Sequence, residues 1–254
     1  MKILLWNIAD LPSIINKQYN NDDFKMKRIF FLINQLNIDI ACLQEVFSNS
    51  WRKEFLFGTF AQDIKETQFL NSGLMMIHRK HKKFLNIPSL YYKYCSSMGE
   101  DQFSCKGLMI CRRYSSVIGG DIIICNTHLQ ADSLFGFSEP QKIRKNQMNE
   151  LSIYLTNSIK PSDKMVIVCG DFNHNIYKLK TIVKTPFKDW DFIKPNWNNS
   201  SKRPDQIFHN LDHVYAFVKK KSIKNNKTLF VKITNLPLQQ CSDHNPLLVD
   251  VYID

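Results

Sequence analysis

Apolar and polar positions change rhythm along this chain in a way that predicts alternating strands and helices. "KILLWNI" (2–8) and "IDIACLQEV" (38–46) are short aliphatic runs closed by polar residues, as buried strands are. Between them, in "DDFKMKRIFFLINQLN", Phe24, Ile29, Leu32 and Leu36 recur at helical spacing and predict a helix. "SGLMMIH" (72–78), "KGLMICRRY" (106–114) and "GGDIIICNTHLQ" (119–130) predict further strands, and a second helix is expected from about Pro140 to Ile159. Downstream come a strand at "KMVIVCGDFN" (164–173), a short helix at "IYKLKTIVK" (176–184), and strands near "LDHVYAFV", "LFVKITN" and "PLLVDVYI". No internal repeat, long linker or low-complexity segment interrupts this order, so residues 1–254 are expected to form one α/β domain. The strands are too many and too hairpin-like for a parallel doubly wound sheet. Two packed mixed β-sheets with helices outside fit better.

Polar side chains gather where these strands end. Asn7 closes the first strand and Glu45 the second; His128 follows "IIICNT"; Asp171 and Asn173 end "MVIVCGDFN"; Asp212 precedes "HVYAFV"; and Asp243 and His244 open the last strand. Any one of them alone reads as a turn former or a hydrogen-bonded structural residue. Together they lie where strand ends meet one rim of a sheet, which is where active sites of such architectures collect.

Composition narrows the setting. The chain has 254 residues, 44% of them hydrophobic, and no apolar run long enough to cross a membrane as a helix. The apolar run after Met1 is broken by Asn7 and Asp10, which is too short for a secretory signal. Seven cysteines, without a CxxC pair and mostly within apolar runs, read as reduced core thiols of a cytoplasmic or other intracellular protein. The net charge of +11 suggests a polyanion or an anionic surface as partner, although lysine-rich coding gives the same balance. The densest basic block, "KKKSIKNNK" (219–227), lies between two strands and reads as a solvated hairpin tip or a binding patch.

The polar set can do one kind of chemistry well. Glu45, with Asn7 and Asp243, offers hard oxygen ligands to a hard cation, Mg2+ above all, and no cysteine or histidine cluster has soft-metal spacing. His244 is the candidate general base, with Asp212 fixing its tautomer. His128 and Asn173 are candidates to stabilise a charged phosphoryl transition state, and Asp171 to position the attacking water. The expected reaction is metal-assisted hydrolysis of a phosphodiester or phosphomonoester.

"LLWNI", "LQEV", "NTHLQA", "GDFN" and "SDHNPL" occur in the order and approximate spacing of the endonuclease/exonuclease/phosphatase superfamily, which the chain resembles over nearly its whole length. The resemblance implies a four-layer α/β sandwich and Mg2+-dependent phosphoester hydrolysis. It places the roles just given on Asn7, Glu45, His128, Asp171, Asn173, Asp243 and His244. Within that superfamily, "EDQFSCKGLMI" has the form Asp101-x4-Lys106-Gly107 and resembles an element of the neutral sphingomyelinase branch. "NTHLQAD" followed by Arg144 and Gln147 resembles the same branch. A lysine at that strand start can meet a phosphate or hold an aspartate, and the glycine lets backbone approach. The chain departs from the superfamily in having His213 after Asp212, where Tyr is common, and in lacking the Arg that often precedes that Asp.

The branch implies a phospholipid substrate of the sphingomyelin type, met at a membrane surface by a peripheral enzyme without a transmembrane segment. Three alternatives stay open. The same core serves Mg2+-dependent endonucleases and DNA-repair phosphodiesterases, which the basic charge favours. It also serves inositol-phosphate phosphatases, and a non-catalytic binding module could keep the fold.

Overall fold

The computed structural model describes residues 1–10, 22–47, 58–60, 71–80, 83–84, 89–102, 104–116, 118–132, 139–174, 189–198, 211–220, 222–223, 228–236 and 242–254. In chain order its first elements are β1 (Lys2–Asp10), α1 (Asp22–Gln35), β2 (Ile40–Val46), β3 (Gly58–Phe60), β4 (Met75–Lys80), β5 (Lys83–Phe84) and β6 (Ser89–Lys93). There follow β7 (Gly107–Ser115), β8 (Gly120–His128), α2 (Pro140–Ser158), β9 (Asp163–Asp171) and β10 (Trp190–Ile193). The last are β11 (Asn196–Asn198), β12 (Asp212–Lys219), β13 (Leu229–Asn235) and β14 (Leu247–Ile253). The short helix expected at 176–184 and most of the basic block at 219–227 lie outside the described residues.

Hydrogen bonding joins the strands into two mixed sheets. The first runs β11-β13-β14-β1-β2-β4-β3, with β5 paired to β4; the second runs β10-β12-β9-β8-β7-β6. Ile3, Leu5, Cys42, Met76 and Val249 of the first sheet pack against Met109, Ile124, Ile167 and Ala216 of the second. The opposite face of the first sheet (Leu4, Trp6, Leu43, Ile77) is covered by Met26, Ile29, Leu32 and Ile33 of α1. The outer face of the second (Ile123, Val166, Phe217) is covered by Met148, Leu151 and Leu155 of α2. This is the four-layer α/β sandwich, and burial on both faces explains why β1 and β9 read as near-continuous apolar runs. Among the described residues, no helix is long and apolar enough to cross a membrane.

Two departures from the sequence pattern have physical causes. Phe24 is 48% exposed, because the apolar stripe that α1 packs onto the sheet runs through Met26, Ile29, Leu32 and Ile33. The strands that the pattern did not signal, β3, β5, β6, β10 and β11, all lie at sheet edges, where burial on one side leaves little apolar signature. The thiols behave as expected: Cys42, Cys111, Cys125 and Cys169 are buried, and burial pushes Cys111 up to about 12, so these are inert core groups.

Parallel neighbours finish on one rim. β1 and β2 are parallel and joined through α1; β8 and β9 are parallel and joined through α2. β12 and β14 run antiparallel to β9 and β1 and so begin at that same rim. Close packing at the rim needs Gly170, whose φ is +154° and whose added Cβ would lie 1.9 Å from the Thr127 carbonyl oxygen.

The far end of the sandwich holds an ionisable group without a site. His78, at the end of β4, is 1% exposed, and among the described residues neither ring nitrogen has a hydrogen-bond partner. Burial, with Arg113 nearby, lowers its pKa to about 4. In the unfolded chain it titrates near its ordinary value of about 6.5. The unfolded state therefore takes up a proton first, and stability is lost as pH falls from about 6.5 toward 4, by up to roughly 3 kcal/mol. Urea melts at several pH values should show this loss reduced in His78→Leu. Parallel pH profiles for wild type and variant would refute the assignment.

Candidate active site

Strand register brings the acidic row together. His128, Asp171 and Asp212 are direct cross-strand neighbours on β8, β9 and β12. Their side chains share the face of Ile124, Ile167 and Val214, which looks toward the first sheet. Asn7 on β1 lies on the facing side, in the same alternation as Ile3 and Leu5. Glu45 does not follow that alternation: two residues beyond Leu43, it should point toward α1. Its φ of +56° breaks the pattern, and it is Val46 that enters the α1 cluster instead. A non-glycine residue in this region costs on the order of 1–3 kcal/mol, and the rim spends it on aiming a carboxylate.

Asn7 joins the two halves. Its Nδ2 donates to Glu45 Oε1 at 2.9 Å and to Asp171 Oδ2 at 3.0 Å, while its Oδ1 accepts from the Ala9 N–H at 3.0 Å. Asp171 also accepts from the Asn173 N–H at 2.8 Å. Both residues thus make the local turn bonds that such residues favour at strand ends and reach into the site as well. Burial pushes Glu45 up, against the pull of the Asn7 amide and Lys106. Burial acts on Asp171 in the same direction, but His244, His128, the Asn7 amide and the Asn173 N–H outweigh it and hold Asp171 at about 2.

His244 lies between carboxylates. Its Nδ1 is 2.7 Å from Asp212 Oδ2, and its Nε2 is 3.7 Å from Asp171 Oδ2. Burial alone would lower its pKa, but Asp212, Asp171 and Asp243 raise it well above the ordinary value, so the proton of the Asp212–His244 pair resides on the imidazole. The backbone here is pinned from the first sheet. Trp6 Nε1 donates to the His244 carbonyl at 2.9 Å, Ser242 Oγ donates to the Asn7 carbonyl at 2.7 Å, and the His244 N–H donates to Ser242 Oγ at 3.1 Å. Asp243 is exposed, next to Ser242 Oγ at 3.2 Å, and is the one expected site residue that stands apart from the converging groups. Ser242 and Trp6 were not singled out from the sequence. A hydroxyl directly before the Asp-His pair was the available signal for Ser242, whereas Trp6 read only as core.

Lys106 enters from the second sheet, 4% exposed. Its Nζ bonds Asp101 Oδ2 at 2.9 Å, the Leu129 carbonyl at 2.9 Å and His128 Nε2 at 3.0 Å. The ammonium therefore supplies the positive charge in this corner. His128 serves as a neutral acceptor, its pKa lowered to about 3 by burial and then by Lys106. Its Nε2 stands 3.6 Å from Asp171 Oδ2 and 3.9 Å from Glu45 Oε1. Asn173, at φ +48°, turns its Nδ2 to the same Leu129 carbonyl at 3.0 Å. Gly107 permits the approach, since a Cβ there would lie 2.3 Å from the Tyr92 carbonyl.

Helix α2 braces this corner rather than entering the site. Arg144 donates to the Gln130 carbonyl and to Asp132, and Gln147 bonds the Gln130 N–H and the Ser96 carbonyl. His213 points to the outer face of the second sheet, bonded to the His174 carbonyl at 2.6 Å.

The rim thus carries carboxylates, two imidazoles and an ammonium, with Glu45, Asp212 and His244 partly exposed and Asp171, His128 and Lys106 buried behind them. Ligand atoms of Asp171, Asp212 and His244 lie within 4.8 Å of one another, close enough to share a cation. The 2.7 Å bond between His244 and Asp212 already occupies two of them.

The sequence pattern of the Endonuclease/Exonuclease/phosphatase family matches residues 4–244. Sphingomyelinase C of Bacillus cereus is 28% identical over 130 residues, a match that covers 50% of this chain and only 35% of that protein. Staphylococcus aureus beta toxin, in a mutant structure with bound magnesium ions, superposes with a TM-score of 0.70 at 18% identity, over 98% of each chain. D. rerio TDP2 complexed with a single strand DNA product superposes with a TM-score of 0.66 at 15% identity, over 99% of this chain and 98% of that one. The chain belongs to the Endonuclease/Exonuclease/phosphatase family.

Proposed function

We propose that residues 1–254 form one catalytic domain that hydrolyses a choline-phosphate diester of the sphingomyelin type to phosphocholine and the free lipid alcohol, with Mg2+ as cofactor. The observation that carries this reading is the Lys106 corner, in which the Asp101-x4-Lys106-Gly107 element meets the candidate catalytic row through the 3.0 Å contact with His128. The Bacillus cereus relative supports it.

In this reading the neutral form of His244, which its raised pKa places toward alkaline pH, takes the proton of the attacking water at Nε2, and Asp212 holds the opposite ring nitrogen so that Nε2 faces the reaction. Asp171 orients the water. Lys106 opposes the negative charge that develops on the phosphoryl oxygens, with His128 and Asn173 holding that corner in shape. The water oxygen bonds to phosphorus, the phosphorus–oxygen bond to the lipid breaks, and the lipid oxygen leaves as an alcohol with a proton from solvent water. The hard-oxygen character of the converging groups, among which no thiol is found in the described residues, fits Mg2+. Glu45 would hold the ion, with Asn7 next to it and Asp243 as an outer carboxylate, and the ion would supply Lewis-acid polarisation of a phosphate oxygen. The enzyme would act inside the cell as a peripheral protein, drawn by its +11 charge to an anionic membrane face.

A second reading has its own support. The same charge, and the fold shared with TDP2 in complex with DNA, favour a nucleic-acid phosphodiester. Lys106→Ala separates the two. Assayed with Mg2+ on sphingomyelin in mixed micelles and on plasmid and abasic-site DNA, wild type should release phosphocholine, and the variant should lose at least tenfold of that activity. DNA cleavage without phosphocholine release would replace the lipid reading with the nuclease one.

A further inference from the structure

The two sheets bring different halves of the site. Asn7, Glu45 and His244 come with the first sheet; Lys106, His128, Asp171 and Asp212 come with the second. Among the described residues, two hydrogen bonds at the rim cross between them, Asn7 to Asp171 at 3.0 Å and His244 to Asp212 at 2.7 Å. Beneath the rim the filling is apolar, as with Leu5, Cys42, Ile124 and Cys169. Apolar contacts are strong in sum but do not fix direction or register.

One polar tie interrupts that filling, directly under the site. Gln44 and Asn126 are both fully buried. Gln44 Nε2 donates to Asn126 Oδ1 at 2.5 Å, and Asn126 Nδ2 donates to the Leu43 carbonyl at 2.9 Å and the Met75 carbonyl at 3.1 Å. Leu43 and Met75 are paired residues of β2 and β4, so the Asn126 amide plugs from the second sheet into the ladder of the first. Gln44 directly precedes Glu45. Asn126 lies on the same face of β8 as His128, one side-chain row below it.

We propose that Gln44 and Asn126 are positioning residues, a directional tie that sets the spacing and register of the two half-sites. The inference rests on the hydrolase reading. Folding gives a reason for Asn126, which satisfies the Leu43 and Met75 carbonyls, but none for placing a second amide, Gln44, against it. Among the described residues Gln44 Oε1 is buried without a partner, a cost that aliphatic side chains of similar size would avoid. Alignment gives a reason, because a shift of about 1 Å between reacting groups costs on the order of a hundredfold in rate. The tie acts two residues or fewer from Glu45 and His128, where such a shift would be felt first.

The test uses the full chain with Mg2+ and a soluble diester, bis(p-nitrophenyl) phosphate. Wild-type turnover is measured first; none at all would sink the hydrolase reading itself. In Gln44→Leu/Asn126→Leu the two side chains become apolar but the Leu43 and Met75 carbonyls lose the Asn126 donor, so the melting temperature should fall by a few degrees with the fold kept, kcat should fall at least tenfold, and KM should stay within twofold. Ile124→Val, which softens the core one row lower, should leave kcat near wild type. Should the double variant not fold, Gln44→Met is read by the same criteria. A folded variant with kcat within threefold of wild type would overturn the proposal, as would an equal kcat loss in Ile124→Val.

Discussion

Alanine in place of His244 is expected to lower kcat by about 10²–10⁴-fold, the usual contribution of a positioned general base. The ring is held at 2.7 Å by Asp212 and faces Asp171 with its other nitrogen, so no neighbouring group takes over its task. A stability effect accompanies the loss and is separable by pH. The carboxylates raise the folded pKa of His244 well above that of the unfolded chain. Its stabilisation is therefore fully present below the unfolded value of about 6.5 and disappears as pH rises through the folded value. The variant should melt lower than wild type at acid and neutral pH, and the two melting curves should approach each other at alkaline pH. The rate deficit should persist there. Asp212→Asn should shift the acid limb of the kcat profile to lower pH, because the imidazolium loses its main stabiliser. A His244→Ala enzyme within tenfold of wild type at alkaline pH would remove the base assignment.

The second large effect concerns the cation. Saturating Mg2+, at about a hundred times Kd, should raise the wild-type melting temperature by about 5–10 °C. Glu45→Gln should abolish most of that gain and raise the Mg2+ concentration needed for activity. Without metal the same substitution should leave the melting temperature unchanged or higher, because it removes a carboxylate whose charge burial disfavours. Calorimetry with and without Mg2+ reads both effects. An undiminished Mg2+ shift in the variant would move the principal ligand elsewhere, with Asp171 the next candidate.

The sequence disclosed the site better than the geometry that makes it. Asn7, Glu45, His128, Asp171, Asp212 and His244 were legible because each interrupts an apolar run with a group that burial penalises. Their convergence was not, since it depends on cross-strand register, and register is fixed by pairing between segments far apart in the chain. Glu45 shows the limit most clearly: strict alternation would aim it toward α1, and only the left-handed turn of its own backbone brings it to Asn7. The charge state of the Lys106–His128 pair was equally hidden, because it follows from a contact between residues on two different strands. Edge strands and the exposure of Phe24 escaped for a simpler reason. One-sided burial writes little into a sequence.

The parallel pairs β1–β2 and β8–β9, each closed over its own helix, have a consequence for how competence is acquired. Each strand–helix–strand unit can gather early through contacts near in sequence, yet each carries only a fragment of the chemistry. On the hydrolase reading, a nascent or partly unfolded chain with one unit formed would be chemically silent, and hydrolysis would begin only once both sheets are in place.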